Sequence, residues 1–375
     1  MRKILFPLAF IFQFALAQEA EVTNVTTAQR TDGSKLVDIT YDITEDSLLT
    51  AFNVSVEVSF DGGANYTQIN YVDGDVGVNL LFGTDKTIVW NIGQEYSNTF
   101  DDNVKVKVIA VGHIAGELPF EMVTVEAGDY TYGSNNYILT IDYDFDIMKY
   151  EVTNAQYAEF LLEEYESGTV SIVEGDVLGF YPGDEQLEGG YYDFYDLGTP
   201  SGDYNFGRIS WNGTTFIVTE GYGNHPCLRV TWFGAWAFAE HYGLRLPTEY
   251  EWEKAARGNT GYNYPWGDFI DGNEANYHNS GDPWDNGTTP VGFYNGQNYE
   301  GYQTLDAPSP YGVYDVSGNV WEWTDSFETE NDPDARVARG GSWYQGPSFC
   351  HPWERNYTNP RDANDIFGFR CARTL

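Results

Sequence analysis

The chain has 375 residues, with 57 Asp plus Glu against 19 Lys plus Arg and a formal net charge of −38. That balance excludes a nucleic-acid partner, whose phosphates it would repel. A hydrophobic content of 42%, with 17% aromatics, excludes disorder despite the charge, and the length allows two or three domains.

Arg2 and Lys3 precede an apolar run over residues 4–14, and Ala15-Leu16-Ala17 supplies a small-x-small cleavage site. This is the layout of a secretory signal peptide over residues 1–17, with an apolar run far shorter than the ~20 residues a bilayer needs. No Cys follows the cleavage site and no later stretch is long and apolar. The expectation is a secreted, extracytoplasmic protein without a membrane anchor. Three cysteines, Cys227, Cys350 and Cys371, allow at most one intrachain bridge and so no disulfide framework.

From residue 18 to 113 the texture is alternation: Leu36-Val37-Asp38-Ile39-Thr40-Tyr41-Asp42-Ile43, then Val54, Val56, Val58 and Phe60, a turn at Asp61-Gly62-Gly63, and later Val104, Val106 and Val108. Period-2 runs separated by Gly, Asn and Asp turns predict a small antiparallel β-sandwich of the immunoglobulin or fibronectin type, serving as a spacer or adhesion module.

The second domain spans residues 118–375. Thr153 with Gln156 forms a capping box opening an amphipathic helix through Tyr157, Phe160, Leu161 and Tyr165. A Gly/Tyr/acidic stretch over 167–222 predicts long loops. A second helix over 235–242 ends at Gly243, and a second capping box, Thr248 with Glu251, starts a helix running to Arg257 and stopping at Gly258. Beyond it lie short Gly-, Asn- and Trp-rich pieces with little periodicity. The fold class is α+β, and such a loop-rich domain calls for bound cations to hold it.

Five motifs occur in order: Gly243-Leu244-Arg245-Leu246-Pro247-Thr248-Glu249-Tyr250-Glu251-Trp252-Glu253, Tyr264-Pro265-Trp266-Gly267, Gly318-Asn319-Val320-Trp321-Glu322-Trp323, Arg339-Gly340-Gly341-Ser342-Trp343 and Gly368-Phe369-Arg370-Cys371. Residues 118–375 thereby resemble the formylglycine-generating enzymes, or sulfatase-modifying factors. The resemblance implies a C-type-lectin-like fold with little regular secondary structure.

Around the Gly318-Asn319 turn, Asp315 and Glu322 present hard oxygen donors of the kind Ca²⁺ takes. The resemblance implies a structural calcium ion held by the side chains of Asp315 and Glu322 and the carbonyls of Gly318 and Val320. A second loop, with Asn276, Tyr277, Asp282 and Asp285, is similar to the family's other calcium loop. The enzymes also hold Cu(I) with two cysteines, a soft-ligand site that oxygen or nitrogen donors do not replace. By resemblance the first is expected at 345, where this chain has Gln345, and the second is Cys350. Ile366 stands where the enzymes carry Asn, while Ser342 and Trp321 match active-site positions. Copper chemistry is therefore doubtful. Cys371 has Ala239 where relatives carry its disulfide partner. Cys350 is open to three readings: a leftover thiol, a partner for Cys227 or Cys371, or a redox group.

Trp343, Tyr344, Gln345, Phe349, His351, Trp353, Asn356, Tyr357, Asn359, Arg361 and Asn364 are residue types of adaptable binding faces, about half of them expected in the core. Residues 342–367 are thus a candidate face for a protein, peptide or carbohydrate ligand. Two functions follow: a secreted binding or scaffold module without copper oxidase chemistry, or a formylglycine-generating oxidase working through Cys350.

Overall fold

The computed structural model describes residues 18–19, 21–44, 51–69, 72–80, 82–95, 104–113, 118–184, 186–198, 206–284, 286–299, 301–329 and 332–375. The expected signal peptide and Asp285 lie outside them. The chain forms two compact units, residues 1–119 and 120–375, and is mostly β with few helices. None of the described helices is long and apolar enough to cross a membrane.

The first unit contains two antiparallel sheets. One runs Gln18–Glu19, Lys105–His113, Ala51–Ser59, Thr67–Gln68, with Gly77–Leu80 also paired to Ala51–Ser59. The other runs Val22–Gln29, Leu36–Ile43, Gly83–Asn91, Val72–Gly74. Alternation is literal here: Val37, Ile39, Tyr41 and Ile43 point inward and meet Val54, Val56 and Val58 of the facing sheet in one core. The Asp61 turn is closed by its own carboxylate, which accepts from Ser59 Oγ and from the Ala64 and Asn65 amides.

In the second unit Met122–Val125, Phe145–Met148 and Ala372–Thr374 form a small antiparallel sheet. It packs with Trp252, Ala255, Ala256, Val313 and Val316. The helix Asn154–Ser167 starts at its capping box, with Tyr157, Phe160 and Leu161 buried and Tyr165 exposed. The helix Glu249–Arg257 also starts at its capping box. The helix between them, Trp232–His241, begins three residues earlier than expected. Thr231 caps it, accepting from the Gly234 amide, and Trp232 and Phe233 are both buried. A helix apolar on several faces gives no amphipathic onset to read.

The stretch read as long loops carries strands instead: Val170–Val173, Asp176–Tyr181 and Gly190–Asp196 in one sheet, and the hairpin Ile209–Trp211 with Phe216–Val218. A register shift at Val177/Leu178 and exposed aromatics such as Phe180 and Tyr191 break the alternation that would have revealed them. Gly179 marks a close approach there: a Cβ would meet the Phe194 ring at 2.1 Å. Near the end of the chain Trp321–Thr329 lies between antiparallel Asp332–Arg339 and parallel Phe367–Gly368, with Arg355–Thr358 at the far edge.

Candidate functional site

Two loops meet at Asn319, which is buried and left-handed, with φ 60°. Its amide donates to the Asn276 carbonyl at 2.8 Å, and its side-chain oxygen accepts from Asn276 Nδ2 and from the Thr289 amide. Its Nδ2 donates to Glu151 Oε2 at 2.6 Å. Gly318 has φ +100°, and a Cβ there would sit 2.2 Å from the Asn276 carbonyl oxygen. Glycine is required for the two loops to close on each other. Asn276 Nδ2 also donates to the Gly287 carbonyl, while Asp282 is taken up locally by Ser280 Oγ and the Trp284 amide. The Tyr277 carbonyl accepts from the Ser280 amide.

Three fully or nearly buried carboxylates gather behind this turn. Glu322 is held by the Arg370 guanidinium at 2.6 and 2.7 Å and by Trp252 Nε1 at 2.8 Å. Arg370 is the counter-ion of Glu322. Asp315 accepts from the Gly292 amide at 2.6 Å. Burial, with a smaller push from Glu322, raises its pKa to about 6 against the pull of the Gly292 amide and Arg370. Glu151 is the residue the sequence reading missed. It is buried, its Oε1 has no hydrogen-bond partner, and burial together with Asp315 and Glu322 pushes it well above the usual carboxylate range. Only its place just before a capping box could have drawn attention to it.

Among the described residues no three His, Cys, Asp or Glu side chains converge as a ready metal cage. The cluster carries an excess of buried negative charge. Its three carboxylates outnumber the single arginine, one buried carboxylate oxygen is orphaned, and Glu322 Oε1 retains a lone pair beyond its Arg370 bond.

Position 345, where the resemblance expects a cysteine, is an amide in a polar contact. Gln345 Oε1 accepts from Trp321 Nε1 at 2.5 Å and from Ser342 Oγ at 3.3 Å, so three of the motif-matched positions do come together, around an amide. Ile366 contributes backbone only, its carbonyl accepting from the Trp321 amide. Cys350 ends a turn of 3₁₀ helix, Pro347–Cys350, and is fully buried; burial pushes its thiol up to about 12. Cys227 and Cys371 are likewise buried free thiols, raised by burial. The residues present do not supply the two-thiol site Cu(I) takes: one position of the pair carries an amide.

Of the candidate binding face, Trp343 alone is buried; Tyr344, Phe349, Tyr357, Asn359 and Arg361 are exposed and the rest are intermediate. The expected half-burial is therefore not found. Part of the face is a ring ladder: Trp266 stacks on Tyr264, Tyr264 on His351 at 4.8 Å, and His351 on Trp353 at 4.4 Å, capped by the Arg257 guanidinium.

The family model of the sulfatase-modifying factor enzyme 1-like domain matches residues 115–375. A formylglycine-generating enzyme of Thermomonospora curvata is 33% identical over 262 residues, 61% of this chain and 81% of that protein. The inactive C-alpha-formylglycine-generating enzyme 2 of Bos taurus is 39% identical over 156 residues, 39% of this chain and 50% of that one. The serine/threonine-protein kinase pkn1 of Chlamydia pneumoniae is 35% identical over 185 residues, 45% of this chain; the match spans only 27% of pkn1's length. The chain belongs to the sulfatase-modifying factor, or formylglycine-generating enzyme, family.

Proposed function

We propose that this is a secreted binding or scaffold protein whose family domain does not perform copper-dependent cysteine oxidation. The observation that carries the reading is Gln345. Its amide oxygen takes the hydrogen bonds of Trp321 and Ser342 in the place where the resemblance puts a copper thiolate. The buried Cys350 cannot act alone as a soft ligand pair. The first unit, read as an immunoglobulin- or fibronectin-type sandwich, serves as spacer or adhesion module, and residues 342–367 face the ligand, a protein, peptide or carbohydrate.

Calcium is proposed as a structural ion, with Asp315 and Glu151 as side-chain donors, Glu322 by its remaining lone pair and the carbonyls of Gly318 and Val320 closing the set. Bound there, it would neutralise the excess buried negative charge. Asn276, Tyr277 and Asp282 form the second proposed calcium loop.

The test is Cu(I) titration followed by incubation with oxygen and a Cys-x-Pro-x-Arg peptide. Wild type is expected to leave the peptide cysteine intact, and Gln345→Cys, which restores the thiol pair, to bind Cu(I) at least about tenfold more tightly. Formylglycine produced by wild type at enzyme-like rates would refute the reading. The alternative, an oxidase working through Cys350, draws on the similarity to the Thermomonospora enzyme, of which 81% is covered. It requires Cys350→Ser to abolish conversion.

A further inference from the structure

The second unit carries twelve Lys and Arg residues. Nine of them pair with carboxylates. Lys254 is absorbed by the carbonyls of Glu126 and Gly128. Among the described residues only Arg208 and Arg361 spend their guanidinium groups on aromatic faces without an ion pair. In so acidic a chain a cation left without a carboxylate is unexpected, and Arg361 stands at the mouth of a cavity of about 210 Å³.

The cavity is built from pinned parts. One lip is the turn around Arg361, whose amide is held by Asn359 Oδ1 at 3.0 Å. The Pro360 carbonyl in that turn accepts from the Trp232 amide, at the start of a helix. The other lip is the 186–188 segment. Asp184 Oδ1 accepts from the Gln186 and Leu187 amides, and Asp184 Oδ2 is held by Tyr181 and by the buried Arg336. Between the lips Tyr192 stacks on Phe233 at 3.9 Å and 12°, and the Arg361 guanidinium lies 5.0 Å from the Tyr192 ring. Tyr192 thus serves as a rest for Arg361 and leaves the N–H fork free for an oxyanion.

The remaining lining sets the rest of the ligand. Tyr192 is already engaged by Phe233 and Arg361, so a flat aromatic acid finds no open ring to stack on. Gln186 and Asn359 offer amides that both donate and accept, and Glu188 offers an acceptor, which together suit hydroxyl groups. The volume is below the ~300–1,000 Å³ of sites for drug-sized ligands, so it takes a single ring.

From these features we infer that the Arg361 cleft binds one acidic monosaccharide unit, with its carboxylate or sulfate on Arg361 and its hydroxyls on Gln186, Asn359 and Glu188. The inference rests on the binding-module reading and narrows its ligand, yet its test does not involve copper. An active oxidase would overturn that reading and leave this titration unaffected.

The experiment is a titration of the full chain, by calorimetry or saturation-transfer NMR, with glucuronate, glucose 6-sulfate, glucose and benzoate. At least one acidic sugar should bind with a Kd of about 1 mM or tighter, and glucose and benzoate at least about tenfold more weakly. Which of the two acidic sugars binds distinguishes a carboxylate ligand from a sulfate. Arg361→Gln should lose about tenfold in affinity, and Arg361→Lys should lose part of it, since an ammonium cannot form the fork. Because Arg361 is exposed, both variants should melt like wild type. Equal binding of glucose or benzoate, unchanged affinity in Arg361→Gln, or no binding of either acidic sugar overturns the proposal.

Discussion

Substituting Glu253 by Gln tests whether the Leu246-Pro247-Thr248-Glu249 motif and the helix after it form a frame or a site. Glu253 is fully buried on Glu249–Arg257 and serves two arginines that are themselves fully buried. Arg257 Nη1 reaches Oε1 at 3.0 Å and Arg339 Nη2 binds Oε2, while the Gly133 amide donates to Oε1 at 2.7 Å. A glutamine of the same shape keeps one acceptor oxygen but turns an NH₂ toward an arginine, leaving Arg257 without its counter-charge and Arg339 with Glu249 alone, 3.6 Å away. Removing one partner of a buried pair costs about 3–5 kcal/mol. At about 2–4 °C per kcal/mol for a domain approaching this size, the second unit's melting temperature should fall by about 6–20 °C. Scanning calorimetry should show that loss in one transition while the transition of the first unit stays in place. A fall of less than about 2 °C would falsify the claim that this ion network holds the fold together.

Chelation of calcium should lower the melting temperature of residues 120–375 by the equivalent of about 2.7 kcal/mol when free Ca²⁺ had exceeded its Kd a hundredfold. Asp315→Ala should melt like the chelated wild type; unaltered melting with chelator and no retained calcium on elemental analysis would leave the turn without its ion. His241 sits between Glu163 at 2.8 Å and Glu164 at 2.6 Å. Burial alone would depress its pKa, but the bonds and charges of Glu163 and Glu164 outweigh it and raise it to about 9. A folded pKa above the unfolded value of about 6.5 gives stability that is complete below pH 6.5 and lost as pH rises to about 9. The expected loss, on the order of 2 kcal/mol after screening at the half-exposed Glu163, should vanish in His241→Gln melts across that range.

What the sequence showed of the fold was what obeys a period or a cap. The alternation of Val37, Ile39, Tyr41 and Ile43 and the capping boxes at Thr153 and Thr248 all act within a few residues, so they can be read locally. The strands over 170–218 escaped because a register shift and exposed aromatics spoil the period. Glu151 escaped for another reason. Its role comes from Asn319, Asp315 and Glu322, more than 160 positions away, and a lone glutamate before a helix is otherwise a surface residue. Glu249, Glu251 and Glu253 were legible as a helix start but not as interior charges. Two of their partners, Arg355 and Arg339, lie 106 and 86 positions further along, while Arg245 is six residues before Glu251 in the same motif.

That difference explains why a strong family match says little about chemistry here. The shared motifs supply the buried pairs Glu253–Arg339 and Glu322–Arg370 and the Gly318–Asn276 closure, each expensive to break and each remote in sequence. Gln345 belongs to none of them. Its side chain is partly exposed and, among the described residues, bonds to Trp321 and Ser342, and Ile366 offers its backbone carbonyl to Trp321. A substitution at either position can therefore change the chemistry without a cost to the frame, whereas a change at Glu253 or Arg370 cannot. The matched motifs accordingly report that the scaffold is intact, and the chemistry has to be argued from the side chains around Gln345.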